Sequence, residues 1–558
     1  MGPLASLKAR LGGLPRAVLL HLLLVVLVPV AVAFAPLADH LSYEFAELMA
    51  LVFGSTGGAV GLLVGRRSLL AGSSLPAPGL RGLSPARAAS FPALRVTLGS
   101  LAVPVALILL NGLRRPVCDP LAGLAMYVVL VVPSALLSLA LGRLCALLWP
   151  RRAGLLYALV ALVSLADTLA PVLAGPQVFA HNHLLGLYPG PIYDEAIALT
   201  PAILRFRLIT LALALVCALV PWVRPLWRER GFGLWPRLLA AKIVLVALAA
   251  LLGAHLVSKP LRPTIADLDE ALGGRIETAH LILHFPREKS GLERTLMVRD
   301  AEASVTAVLE FFALPAGPLH KVDVFLYHSA EEKQRLIGAA DTSFAKPWLH
   351  EVHTNDAPAP HPVLRHELVH AFGAEVSHTP FGVPGRLGGL VPDMAFIEGL
   401  AVAGDFPWGE GTIHEETAAM RAQGRLPDLV QLFSPGRFYG ESGARAYTAA
   451  GSLLRFLWET RGPAALARAY ASPQGIAVLG PLDQLVAGHA KFLDTIQVPP
   501  NVASNASLRF AAPAIVHKRC PHEVADLERR AAQAANRGDS EAALALFEQC
   551  VALEPDDP

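Results

Sequence analysis

Apolar stretches near residues 17–38, 45–64, 96–112, 120–149, 153–174, 206–222 and 238–257 fill the first part of the chain. Each is long enough to cross a bilayer, which takes about 20 apolar residues. Seven spans are therefore expected, the fourth long enough to tilt or to run on into the interface. The acids follow the same division. Only eight of the 45 Asp and Glu residues lie before residue 258, at positions 39, 44, 47, 119, 167, 194, 195 and 229, and the other 37 come after it. In 558 residues there is room for two or three domains. The expectation is an all-α transmembrane bundle over 1–258, then water-soluble structure. A net charge of +2, with no basic face carrying interleaved aromatics, offers nothing to nucleic acid.

Lys and Arg in the short loops set the expected orientation. Lys8, Arg10 and Arg16 precede the first stretch, and Arg66, Arg67, Arg81, Arg87 and Arg95 follow the second. Arg143 stands near the end of the fourth with Arg151 and Arg152 after it, and Arg224, Arg228, Arg230 and Arg237 follow the sixth. With these four segments cytoplasmic, an odd number of spans puts everything after residue 257 outside. The expected setting is a bacterial inner membrane, with the lipid bilayer as one partner and the N-terminus inside. In the second stretch Gly54, Gly57, Gly58, Gly61 and Gly65 recur at spacings that suit close helix packing. The loop "QVFAHNHLLGLYPGPIYDEAI" (177–197) holds His181, His183, Asp194 and Glu195. An ordered loop that caps the bundle or docks on the outer domain is the favoured reading for it, metal binding the lesser one. Asp167, at the outer part of the fifth stretch, is expected to reach water.

After a linker over 259–275 the pattern changes. "TAHLILHF" (278–285) and "KVDVFLYHS" (321–329) read as strands, "LERTLMVRDAEASVTAVLEFF" (292–312) has helical spacing, and Ser329 is placed to cap a helix over 330–338. "WLHEVHTN" (348–355) reads as one more strand. Strands and helices without strict alternation predict an α+β domain over 276–500. Within it, "VLRHELVHAFGAEV" contains His366, Glu367 and His370 as His-Glu-x-x-His. On a helix, residues four apart share a face, so both imidazoles can grip one zinc ion while Glu367 takes a proton from the water that zinc acidifies. A third protein ligand is then needed. Glu398, inside the apolar run "MAFIEGLAVAGD" (394–405), is the best candidate. The competing reading is a Glu paired with an Arg such as Arg386. Asp393 looks like a helix cap, and His361 and His353 are poorer ligands.

The running order "LILHF", a long helix, "KVDVFLYHS", "LRHELVHAF", "FIEGLA" and "AYTAAGSLLRFLWETRG" resembles the gluzincin metallopeptidases. The peptidase MA-like domain, similar to the catalytic domains of thermolysin and the M1 aminopeptidases, is the nearest likeness, over roughly residues 276 to 497. The resemblance implies zinc held by His366, His370 and Glu398, with Glu367 as general base. Tyr447, ten residues before Leu457, fits the position of a tyrosine that stabilises the oxyanion in related aminopeptidases. A half-buried structural role for Tyr447, and Tyr439 in its place, are the alternatives. The likeness also implies that the strand over 348–355 lines the cleft and takes an extended peptide at its edge. Two departures stand out. Position 402 is Val where thermolysin-like enzymes carry an Asp that orients a ligand, which leaves Asp405 in question, and no Gly-x-Met-Glu-Asn signature supports aminopeptidase specificity.

After a second linker (501–520), residues 521–558 resemble one tetratricopeptide repeat, with Gly538, Ala543, Phe547 and Pro555 at its small, aromatic and proline positions. A single repeat buries too little of its own face. Either this hairpin packs on the preceding domain or the chain is a piece of a longer repeat protein. A protein partner through the hairpin is one expectation. A disulfide between Cys520 and Cys550, at neighbouring ends of an antiparallel pair outside the cytoplasm, is another. The functional expectation is a membrane-anchored zinc metallopeptidase acting on proteins or peptides. The alternatives are a non-catalytic scaffold that binds partners through a peptidase-like groove, and a transporter-associated subunit.

Overall fold

The computed structural model describes residues 15–71, 85–114, 118–188, 196–197, 199–228, 262–315, 319–405 and 411–555, together with residues 246, 249 and 253. Two compact units emerge. One comprises Met1–Pro191 with Ile197–Thr264, the other Ile192–Ala196 with Ile265–Pro558.

The first unit is helical: α1 (Arg16–Val32), α2 (Tyr43–Thr56), α3 (Gly58–Ala71), α4 (Pro85–Asn111), α5 (Pro120–Leu148), α6 (Ala153–Ala174) and α7 (Pro201–Arg228). Five segments among the described residues are long and apolar enough to cross a membrane: Tyr43–Arg66, Leu94–Asn111, Pro120–Leu148, Ala153–Ala174 and Pro201–Val220. The first expected stretch forms α1, an apolar helix of 17 residues. The last one, 238–257, lies almost wholly outside the described residues. The glycine stripe packs as its spacing predicts. A side chain on Gly61 would collide with the Leu139 backbone on α5, one on Gly65 with Ala146, and one on Gly142 with the Gly58 backbone.

The loop at 177–188 folds back onto this bundle. Its strands β1 (Ala180–Asn182) and β2 (Gly186–Tyr188) form an antiparallel hairpin. The Asn182 side chain accepts from the amides of Leu184 and Leu185, both at 2.8 Å, which closes the turn. Arg207 on α7, unremarked in the sequence, pins the loop to the helices. Its guanidinium donates to the carbonyls of Val129 and Asn182 at 3.0 Å and to Ser134 Oγ at 2.6 Å. Burying that cation is tolerable because its donors are satisfied. His183 stacks on Phe206 at 4.3 Å and meets Thr210 Oγ1 at 2.8 Å, while His181 sits between Phe179 and Phe206. Both histidines therefore serve packing, and Asp194 and Glu195 lie outside the described residues. Asp167 is about half exposed and pairs with Arg262 at 2.5 Å.

The second unit carries a five-stranded mixed sheet, order β3-β4-β5-β7-β6, built from β3 (Gly273–Glu277), β4 (Leu281–Pro286), β5 (Val322–Tyr327), β6 (Phe344–Lys346) and β7 (Glu351–Asn355). The strands β4, β5 and β7 run parallel, and the two edges, β3 and β6, are antiparallel to their neighbours. Helix α8 (Ile265–Leu272) and strand β3 occupy part of the stretch expected to be a linker, so 265–277 is regular secondary structure. The glycines at 273 and 274 hid that strand from its β-propensity. Strand alternation sorts the faces. Leu281, Leu283, Val324, Leu326 and Val352 point into the main core with Val305, Val308 and Phe312 of α9 (Gly291–Phe312). On the opposite face the rings of His284, Phe325, His353 and Phe344 stack in sequence across four strands at 4.3, 4.8 and 4.8 Å.

One expectation is corrected by this sheet. The strand over 348–355 has no free edge: β7 is paired on one side with β5 and on the other with β6. Three residues long, β6 is too short to announce itself in the sequence, and it supplies the sheet's edge on that side. Helix α10 (Ala330–Ile337) begins where expected, with the Ser329 hydroxyl accepting from the Glu332 amide at 3.2 Å.

Helices then take over: α11 (Leu364–Val376), α12 (Met394–Gly404), α13 (Ile413–Ala422), α14 (Gly443–Arg461), α15 (Pro463–Ala471), α16 (Leu482–Leu493) and α17 (Pro500–Arg509). The expected second linker is structured as well. Within α17, Val502 and Ala506 enter the core and Arg509 pairs with Glu416 of α13 at 2.8 Å. The terminal hairpin forms as α18 (Pro521–Asn536) and α19 (Ser540–Leu553), with Val524, Leu527 and Cys550 in its seam. The expected Cys520–Cys550 disulfide does not form, because Cys550 is a free, buried thiol facing the Val524 carbonyl. A carboxylate from α19's end, that of Glu554, takes the Cys520 amide instead, at 2.8 Å.

Candidate metal centre

The start of α11 is fixed by His361, a poor ligand because it precedes a proline. His361 Nδ1 accepts from the amides of Val363 and Leu364 at 3.3 and 3.2 Å, and its Nε2 donates to the Asn355 carbonyl at the end of β7 at 3.0 Å. Its own amide donates to Asp300 on α9 at 2.7 Å. Capping an otherwise orphaned helix terminus in this way sets where the helix begins. Below the cap, Leu364, Leu368, Val369, Phe372 and Val376 bury one side of α11 in the main core, and His366 and His370 project from another.

Glu398 comes to them on α12. Asp393 caps that helix as expected, accepting from the Phe396 amide at 3.3 Å. Described positions 395 to 404 are all buried, so the helix sits inside the unit. It is held against α14 by contacts that leave no room for side chains. A Cβ on Gly399 would stand 2.7 Å from the Ala450 Cβ, and one on Gly451 would stand 2.3 Å from a Val402 methyl. Gly373 of α11 meets the Tyr470 hydroxyl of α15 almost as closely, at 2.9 Å from where its Cβ would be.

The three expected ligands converge. His366 Nε2 and His370 Nε2 are 3.2 Å apart, and Glu398 Oε2 lies 3.4 Å from the first and 3.3 Å from the second. An ion with tetrahedral ligands at about 2.0–2.1 Å spaces its donors by about 3.3 Å. Two imidazole nitrogens and one carboxylate oxygen at this spacing therefore fit zinc in both geometry and donor chemistry. Glu398 pairs with the histidines and not with Arg386. Burial alone would raise its carboxyl, but the two imidazoles beside it hold it well below the usual range.

Glu367 is buried one position along from His366, and its Oε2 atom has no hydrogen-bond partner. Burial pushes its carboxyl up to about 7, with the His366 charge opposing and that of Glu398 reinforcing the shift. A base poised near neutrality is what proton transfer from water needs. Tyr447 also reaches the cluster: its ring lies 6.3 Å from that of His366, and its hydroxyl stands within electrostatic reach of Glu398 and Glu367. Burial, followed by the charges of Glu398 and Glu367, drives the phenol strongly upward, so it stays a donor. Tyr439, the alternative, is exposed on the turn Phe438–Gly440. Val402 is wholly buried against α14, and the carboxylate nearest in role to the missing Asp is Asp405. It ends α12, and burial raises it to about 6 while the charge of His366 opposes. Tyr470, fully buried and within electrostatic reach of Glu398, had no signal in the sequence beyond its place in a helix.

Compared with known proteins, the chain matches no protein-family model, no curated protein and no solved structure.

Proposed function

We propose that the chain is a membrane-anchored zinc metallopeptidase that hydrolyses peptide bonds of proteins or peptides outside the cytoplasm. One observation carries the reading: three donor atoms at tetrahedral spacing beside a buried, unpartnered carboxylate, all on helices packed too closely to drift apart. His366, His370 and Glu398 would hold the ion, which when bound would polarise a scissile carbonyl and acidify a water molecule. Glu367 is the base that accepts a proton from the attacking water and later delivers it to the leaving amine. Tyr447, already turned toward the site, donates its hydroxyl to the carbonyl oxygen as negative charge develops.

An extended peptide pairs with β6. Among the described residues no strand covers the outer edge of β6, and α11 packs beside it. Seven spans with the N-terminus inside follow from the apolar stretches and the basic loops, and five of the stretches are helices of sufficient length. Zinc content of the wild type against Glu398→Ala tests the ligand set. The reading predicts close to one equivalent lost at this site, and no loss contradicts it.

A further inference from the structure

A second cluster of metal-ligating side chains stands apart from the proposed centre, at the other end and on the other side of α11. His320 precedes β5, His350 immediately precedes β7, and Glu375 lies in the last turn of α11. One donor atom from each lies within 4.8 Å of the other two. Glu375 follows His370 by five residues and His366 by nine, which at 100° per residue places it about 140° to 180° round the helix from them. The two clusters therefore share a helix and no ligand.

Two features of this cluster, the His350 Nδ1 atom and the placing of Glu375, carry a cost in the bare fold. His350 Nδ1 is buried and has no hydrogen-bond partner, a state that costs free energy. The His350 backbone is left-handed, φ 54°, in a residue that is not glycine. That conformation is held by the sheet: the His350 carbonyl accepts from the Asp323 amide at 2.8 Å, and its amide donates to Pro347 at 3.2 Å. Glu375, finally, sits at the negative end of a helix, where a carboxylate is disfavoured unless a cation stands beside it. His320 meets it in part, with Nδ1 2.8 Å from Glu375 Oε1 and its amide 3.3 Å from the same oxygen. But the His350 ring lies flat against that of His320, centroids 4.7 Å apart and planes 16° apart, which makes a charge shared between the two rings costly.

We infer that His320, His350 and Glu375 form a second site for a divalent transition-metal ion. Two imidazoles and one carboxylate are the donor set that zinc and its neighbours favour. An ion there takes the lone pair of His350 Nδ1, neutralises Glu375 and compensates the negative end of α11. The closure needed is small, and the His320 side chain, 73% exposed, is free to make it. Metal at this position fixes the far end of the helix that carries His366 and His370, so the site is structural and can tune the proposed centre without touching substrate.

The test is the zinc retained by the full-length chain in detergent after dialysis against zinc-free buffer, measured by elemental analysis. Zinc itself is the probe. The wild type is expected to keep two ions per chain, His350→Ala/Glu375→Gln one, His366→Ala/His370→Ala one, and the fourfold variant none. His320→Ala, at an exposed position that leaves the core intact, is expected to weaken retention at least tenfold, and circular dichroism verifies that each variant folds. Equal zinc in the wild type and in both His320→Ala and His350→Ala/Glu375→Gln overturns the second site. So does a wild type whose only ion is lost with His366 and His370. If the count instead falls with His350 and Glu375 but not with His366 and His370, the second site stands and the proposed peptidase centre fails.

Discussion

Gly399 and Ala450 meet so closely that a methyl group on Gly399 would stand 2.7 Å from the Ala450 Cβ and 2.8 Å from its carbonyl carbon. That contact brings the helix bearing Glu398 against the helix bearing Tyr447. Gly399→Ala must push α12 and α14 apart, because backbone cannot yield as a side-chain tip can. Overpacking of this kind costs on the order of 1–3 kcal/mol. A lower unfolding midpoint together with weaker zinc binding is expected. An unchanged midpoint would show that the helices adjust freely.

Tyr447→Phe removes one hydroxyl and keeps the ring against Phe438 and His366. Loss of a donor to a developing oxyanion costs about 10²- to 10³-fold in turnover. The expected variant binds zinc as the wild type does and falls by that factor in kcat, with little change in KM. Equal kcat assigns Tyr447 to structure alone.

Asp393 gives a pH dependence whose sign can be worked out. Its carboxyl is raised by burial from the ordinary 3.8 to about 6, against the pull of the Phe396 amide and Arg386. The folded chain therefore holds this proton more tightly than the unfolded chain. The stabilising contribution is whole below about 3.8 and is lost as pH rises through about 6. Asn caps a helix as well as Asp does. Asp393→Asn is expected to remove this part of the slope between pH 4 and 6, gaining on the order of 1–3 kcal/mol relative to the wild type above pH 6. Parallel stability curves for the two proteins would contradict this.

The site was more legible in the chain than the sheet was. His366, His370 and Glu398 lie in two mostly apolar helical runs where charged or polar side chains are conspicuous, and helical spacing alone puts the two imidazoles on one face. The small residues at 399, 450 and 451 also stood in view, although what they pack against depends on tertiary contact. The edge strand Phe344–Lys346 was hidden by its length, and Gly273–Glu277 by its glycines. His361 was weighed only as a ligand, because a histidine capping a helix from three residues away has no distinct spacing. His320, His350 and Glu375 are scattered over 55 positions and become neighbours only when parallel strands and α11 bring their ends together. The Cys520–Cys550 expectation failed for a related reason. Helix ends that are close in sequence logic still leave the direction of each side chain open, and Cys550 turns into the seam of the hairpin.

The most direct measurement is cleavage of a peptide library by the wild type and by Glu367→Gln, compared at equal zinc content. The account predicts that the wild type cleaves, that the variant holds zinc equally well, and that its cleavage falls by about 10²- to 10⁴-fold, the contribution of a general base. A zinc-loaded wild type that cleaves nothing, or a Glu367→Gln variant that cleaves as fast, would contradict it.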